Sequence, residues 1–143
     1  MSGPAVGIII FTVYKRFTVK HKVTNMVSVV YDKSKKFAFR VIKLYKYLIK
    51  EYDEPVMTKQ LLRCGTSIGA NITEAEYAIS KKEFGMKMYI AFKECGETLY
   101  WLDLLFDGEY ITEKQYQSMK TDCEELMRLL SAITKTTRER IEK

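Results

Sequence analysis

Small and apolar residues recur between residues 61 and 79 at alternating intervals of four and three: Leu61, Gly65, Ile68, Ile72, Ala75 and Ile79. The interval averages about 3.5 residues, close to one turn of an α-helix, so these side chains fall along one face. A strand, whose side chains alternate with period two, cannot gather them. A helix with one such stripe is marginal alone, because most of its stability comes from burying the stripe against other helices.

The same rhythm recurs three more times. Phe37, Val41, Leu44 and Leu48 follow Asp32 and Ser34, either of which can cap a helix, and Pro55 separates this segment from the next. A third seam is Phe84, Met88, Ala91, Cys95, Thr98, Leu102 and Leu105, and a fourth is Tyr116, Met119, Cys123, Leu126, Leu130, Ile133 and Thr137. SKKE (80–83) and TEKQ (112–115) have the capping-box pattern, and Asp107-Gly108 supplies a left-handed stop. These signals predict helices over about 33–51, 58–79, 81–107 and 113–140. Short connections make successive helices antiparallel neighbours, so the expected fold is all-α, an antiparallel up-down-up-down four-helix bundle spanning 32–140.

Residues 1–31 show no helical periodicity and are expected to form a non-helical N-terminal extension. One reading starts translation at Met26 and makes the preceding residues an upstream artefact; the other makes them a basic arm or short edge strand. No function is assigned to them.

The chemistry available inside such a bundle is narrow. At 143 residues one domain buries a sufficient core without staples, and three widely spaced cysteines, Cys64, Cys95 and Cys123, suggest neither a disulfide framework nor a zinc site. The single histidine, His21, lies outside every predicted bundle helix, which removes Glu-x-x-His metal pairs as well as Ser-His-Asp and Cys-His catalysis. GTSIGAN (65–71) lacks the Lys-Ser/Thr ending of a phosphate loop and sits within a helical pattern. No catalytic residue, metal or cofactor is therefore expected. An enzyme would have to use Glu74, Glu94 or Glu97, whose commoner fate is salt bridging, for instance between Lys93 and Glu97. The apolar run Gly7 to Tyr14 falls short of the roughly 18 residues of a membrane span, and it has its basic residues after rather than before it. A cytoplasmic protein without membrane partners is expected.

Charge is distributed unevenly. Residues 1–50 hold eleven Lys/Arg and one acid, +10, whereas residues 51–143 hold thirteen Lys/Arg and seventeen acids, −4. A basic end of this kind suits a polyanion or the acidic end of another copy. On the first bundle helix Lys33, Lys36, Arg40, Lys43 and Lys50, with Tyr47 among them, form a stripe without an intervening acid. Together with Lys46 they are the candidate nucleic-acid contacts, directed at backbone and shape because no base-reading motif is present. The plainer reading is a solvated lysine face. Ser67, Asn71 and Glu74 form a polar stripe beside the second seam, with Arg63 one turn earlier, placed where two helices or two subunits meet. Tyr77, Tyr89, Tyr100, Trp101 and Tyr110 are candidate aromatic anchors for a protein partner, with burial as the alternative.

LLRCGTSIGANITEAEYAISKKEF followed by AFKECGETLYWLDLL resembles the four-helix-bundle proteins encoded in intervening sequences of bacterial 23S rRNA genes, relatives of the accessory protein of diversity-generating retroelements. The resemblance covers about residues 30–135 and rests on Arg63, Ser67, Ile68, Asn71, Ile72, Glu74, Lys93, Glu94, Glu97 and Trp101. It implies a ring, typically a homopentamer, without enzymatic activity. It further implies a partnership with nucleic acid, RNA or DNA, and in the retroelement relatives with a reverse transcriptase. The alternative is a scaffold ring that recruits proteins without touching nucleic acid.

Overall fold

The computed structural model describes the backbone of residues 4–143 and the side chains of residues 24–143. Four helices follow in order: α1 (Pro4–Tyr52), α2 (Val56–Glu76), α3 (Lys81–Asp107) and α4 (Glu113–Ile141). α1 packs on α2 and α4, and α3 packs on the same two; no diagonal pair comes as close. The expected four-helix bundle is thus formed, without a strand among the described residues.

Apart from Ile79 and the half-buried Phe84, the four seams are buried where the 4,3 rhythm places them. Leu61, Ile68, Ile72, Met88, Leu102, Leu105, Leu130 and Ile133 are fully enclosed, and each such side chain withdrawn from water contributes roughly 1.5–3 kcal/mol. Thr98 and Thr137 satisfy their buried hydroxyls by donating to the carbonyls of Glu94 and Ile133 at 2.7 and 2.8 Å. α1 sits close against α2 because two glycines form a notch. A Cβ on Gly65 would stand 2.8 Å from Val41 Cγ2, and one on Gly69 would stand 3.0 Å from Ser34 Oγ.

The N-terminal segment departs from expectation. Residues 1–31 were predicted to be non-helical, yet α1 runs unbroken from Pro4 to Tyr52. The β-branched residues responsible for that prediction each cost only a few tenths of a kcal/mol in a helix, and no proline interrupts the chain after Pro4 until Pro55. Asp32 and Ser34 are therefore interior residues rather than caps. The Ser34 hydroxyl is fully buried and donates to the Tyr31 carbonyl at 2.7 Å, one turn back. Val30 extends the α1 seam, and Met26 and Val27 pack against it.

The helix ends show local chemistry at work. Glu54 caps α2 from outside, its carboxylate accepting the backbone N–H groups of Val56, Met57 and Thr58 at 3.0–3.2 Å. α2 stops at Glu76, so Ile79, predicted to close its seam, stands 96% exposed. The reason lies downstream: Ser80 caps α3 through the Glu83 N–H at 3.0 Å, while the Glu83 carboxylate takes the N–H of Ile79 at 2.9 Å and holds that residue outside the helix. Thr112 and Gln115 complete a reciprocal capping box on α4. After α3 the left-handed residue is Glu109, φ 64°, not Gly108, whose φ is −80°. Tyr110 N–H to Leu105 and Glu109 N–H to Phe106, at 2.9 and 3.0 Å, make this a Schellman stop.

Candidate nucleic-acid interface

The outward face of α1 is built from residues about one turn apart. Lys35, Lys36, Phe39, Lys43, Lys46 and Lys50 all lie exposed along it. At 1.5 Å per residue the lysines extend over about 22 Å. Among the described residues no carboxylate lies within ion-pair distance of these five lysines. Asp32 and Glu51 stand at the two ends of the row.

Two of the candidate contacts belong elsewhere. Lys33 Nζ lies 2.8 Å from Glu125 Oε1, and Arg40 Nη1 lies 2.5 Å from Asp122 Oδ2, both acids on α4. Arg40 also donates to the Ser118 hydroxyl at 2.7 Å. The stripe read as free of acids is so only along α1; on the α4 side, acids neutralise its edge. The free cationic surface is narrower, centred on Lys36, Lys43, Lys46 and Lys50, and it gains Lys35, which the sequence reading did not include. Lys35 lies on the far flank of the same face, about 60° from its centre at 100° per residue.

The polar stripe of α2 divides into a local part and a cross-helix part. Asn71 Nδ2 donates to the carbonyl and hydroxyl of Ser67 at 2.8 and 3.0 Å, a link within one helix. Glu74 pairs with Lys87 of α3 at 2.7 Å. Arg63 reaches α3, where its guanidinium binds the Glu97 carboxylate and approaches Glu94 Oε2 at 3.7 Å. Trp101 Nε1 donates to the same Glu97 oxygen at 3.3 Å. Glu97 is therefore committed to Arg63 and Trp101 rather than to Lys93, an exposed neighbour on its own helix.

The two carboxyls of this cluster differ electrostatically. The hydrogen bond from Arg63 holds Glu97 below the usual carboxylate range. Burial, and then the neighbouring Glu97 charge, push Glu94 up, and its buried Oε2 has no hydrogen-bond partner. Divergent acids can signal acid–base chemistry. Here the arrangement is an ion-paired clasp between α2 and α3, with most of Arg63, Glu94 and Glu97 committed to one another. Among the described residues no group of three His, Cys, Asp or Glu could hold a metal. The thiols are buried, and burial raises Cys64 to about 11. Cys123 donates to the Cys95 carbonyl at 3.4 Å and is also pushed up, by its contact with Cys95 and by burial, so neither thiol is a ready nucleophile.

Of the aromatic anchors, Tyr77, Tyr89 and Tyr100 are more than half exposed, whereas Trp101 and Tyr110 pack against the core. Tyr89 and Phe92 line one side of a cleft of about 610 Å³ between the start of α3 and the end of α4. No helix of the described residues is long and apolar enough to cross a membrane.

These features define a helical bundle with a cationic outer helix and an ion-paired clasp on the opposite pair. Residues 27–132 match the family described as 23S rRNA-intervening sequence protein, and the chain belongs to that family. A crystal structure of a protein of unknown function from the S23 ribosomal protein family of Bacteroides thetaiotaomicron is similar, with a TM-score of 0.76 and 54% identity over 77% of this chain and 98% of that one. No curated protein matches.

Proposed function

We propose that the protein is a non-enzymatic, oligomeric nucleic-acid-binding accessory protein that acts on RNA through its backbone. The observation that carries this reading is the α1 face, where five exposed lysines have no acid within ion-pair distance among the described residues. Each lysine that reaches a phosphate releases condensed counterions, so affinity should fall steeply with salt. Contact with backbone implies little sequence preference. Assembly of copies into a ring, a homopentamer on the family resemblance, would repeat the lysine row and multiply its field. In a retroelement setting the same surface would present nucleic acid to a reverse transcriptase.

Titration of single- and double-stranded RNA and DNA at low and physiological salt tests this reading. Binding that weakens with salt, and that falls in a Lys36→Gln/Lys43→Gln/Lys46→Gln variant while the thermal midpoint holds, supports it. No binding at low salt refutes it. Light scattering tests the ring, and a monomer at micromolar concentration would refute assembly.

A second reading, a scaffold that recruits proteins, is favoured by the exposed apolar side chains Met86, Tyr89, Ile90 and Tyr100 on α3. Such a scaffold would retain its partner at high salt.

A further inference from the structure

The lysine row encloses an aromatic ring. Phe39 is 57% exposed, with Lys35 and Lys36 one turn before it, Lys43 one turn after and Lys46 beyond. Among the described residues no ring stacks on it and it is not part of the core. Tyr47, farther along α1, is different: it is edge-on to Tyr52 at 6.4 Å, and Tyr52 is edge-on to Tyr110 at 5.2 Å, a ladder of rings running toward the loop after α3. A large apolar side chain at the centre of a charged surface opposes hydration without aiding the bundle. Phosphates alone would have no use for it. A duplex turns its bases inward and would meet Phe39 with sugar and phosphate, whereas a single strand can lay an unstacked base on the ring while the surrounding lysines hold its backbone.

We infer that Phe39 is a base-stacking platform and that the α1 face selects single-stranded over double-stranded nucleic acid. The inference rests on the nucleic-acid reading above and adds the strandedness of the ligand and the residue that recognises it. Stacking tolerates any base, so the preference concerns strandedness and not sequence.

The test is fluorescence anisotropy of the full chain with a labelled oligouridylate, a duplex of equal length, polyphosphate and polyglutamate. Phe39→Ala should weaken oligouridylate binding by about tenfold, within the range measured for one stacked base, and leave duplex and polyphosphate binding within about twofold. Phe39→Leu, apolar but not aromatic, should behave like Phe39→Ala. Phe39→Trp should bind at least as tightly as the parent, with its indole emission quenched by the single strand. If the parent binds none of the polyanions at low salt, the interface reading fails and this inference with it. If the parent binds but Phe39→Ala matches it on every ligand, only the stacking platform is overturned. A change of assembled mass in Phe39→Ala would make the residue a contact between copies. Polyglutamate binding that equals oligouridylate and suffers the same loss would make the surface a dock for acidic protein.

Discussion

Gly65 on α2 lies directly beneath Val41 on α1, so close that an added methyl group would stand 2.8 Å from one Val41 methyl carbon and 3.0 Å from the other. The side chain in the way is β-branched and buried on every side, with one preferred rotamer in a helix. Gly65→Ala should therefore push α1 off α2 and cost about 1–3 kcal/mol, more than the helix-propensity gain of alanine returns. The denaturant midpoint checks it. Adding Val41→Ala should recover part of the loss, and strict additivity of the two substitutions would show that the contact is not the cause.

The Arg40 pair with Asp122 is about two-fifths exposed on both sides, and its contribution to stability is at most ~1 kcal/mol. Its larger effect should be on charge. Asp122→Asn removes an acid from the border of the lysine row and frees a guanidinium, so polyanion affinity at low salt should rise several-fold while the thermal midpoint barely moves. A decrease in affinity would contradict the placement of the row.

Glu94 and Glu97 predict opposite dependences on pH. Glu97 is held below its ordinary value by Arg63, so its stabilisation is complete above the unfolded carboxylate pKa and is lost as pH falls through the lower folded value. Glu94 is raised by burial, so ionising it opposes folding, and stability declines as pH climbs from the unfolded value to the folded one. At pH 7 Glu97→Gln should cost on the order of 0.5–1 kcal/mol, a figure kept small by the half-exposed guanidinium. Glu94→Gln should be neutral or stabilising at pH 7, and its advantage should vanish below the carboxylate range. Urea midpoints at pH 3, 5 and 7 distinguish the two.

The stop after α3 places a left-handed backbone on Glu109 rather than on the adjacent glycine. Glu109→Gly should raise stability by about 0.5–1 kcal/mol, since a side chain at this φ carries a penalty that glycine avoids. Gly108→Ala should lower it, because the new Cβ would meet the Leu104 carbonyl oxygen at 3.0 Å and the Tyr110 ring at 3.2 Å. Thermal midpoints of the two variants should move in opposite directions.

Much of this arrangement was readable from residue order. The seams from Leu61 to Ala75, Met88 to Leu105 and Tyr116 to Thr137 are buried because a 4,3 rhythm permits few other dispositions. Thr112 and Gln115 were legible as a cap because their reciprocal bonds are local. What escaped was decided across helices or by weak preferences. Ser34 looked like a cap, since nothing in its neighbourhood reveals that Gly69 offers it a buried seat. Arg40 looked free, since Asp122 lies 82 residues away in sequence. Phe39 stands two residues from both Phe37 and Val41, about half a turn round the helix from their seam, so spacing alone turns it outward; what residue order does not show is that no other helix or ring covers it.

Every exposed lysine of the proposed interface belongs to a single unbroken helix, with no loop contributing to it. Such a surface cannot mould itself to what it holds. Any adjustment on contact must come from the ligand, so slack, unpaired strands would conform readily while stiff or pre-folded ones would have to pay in their own bending, which makes compliance itself a criterion of selection.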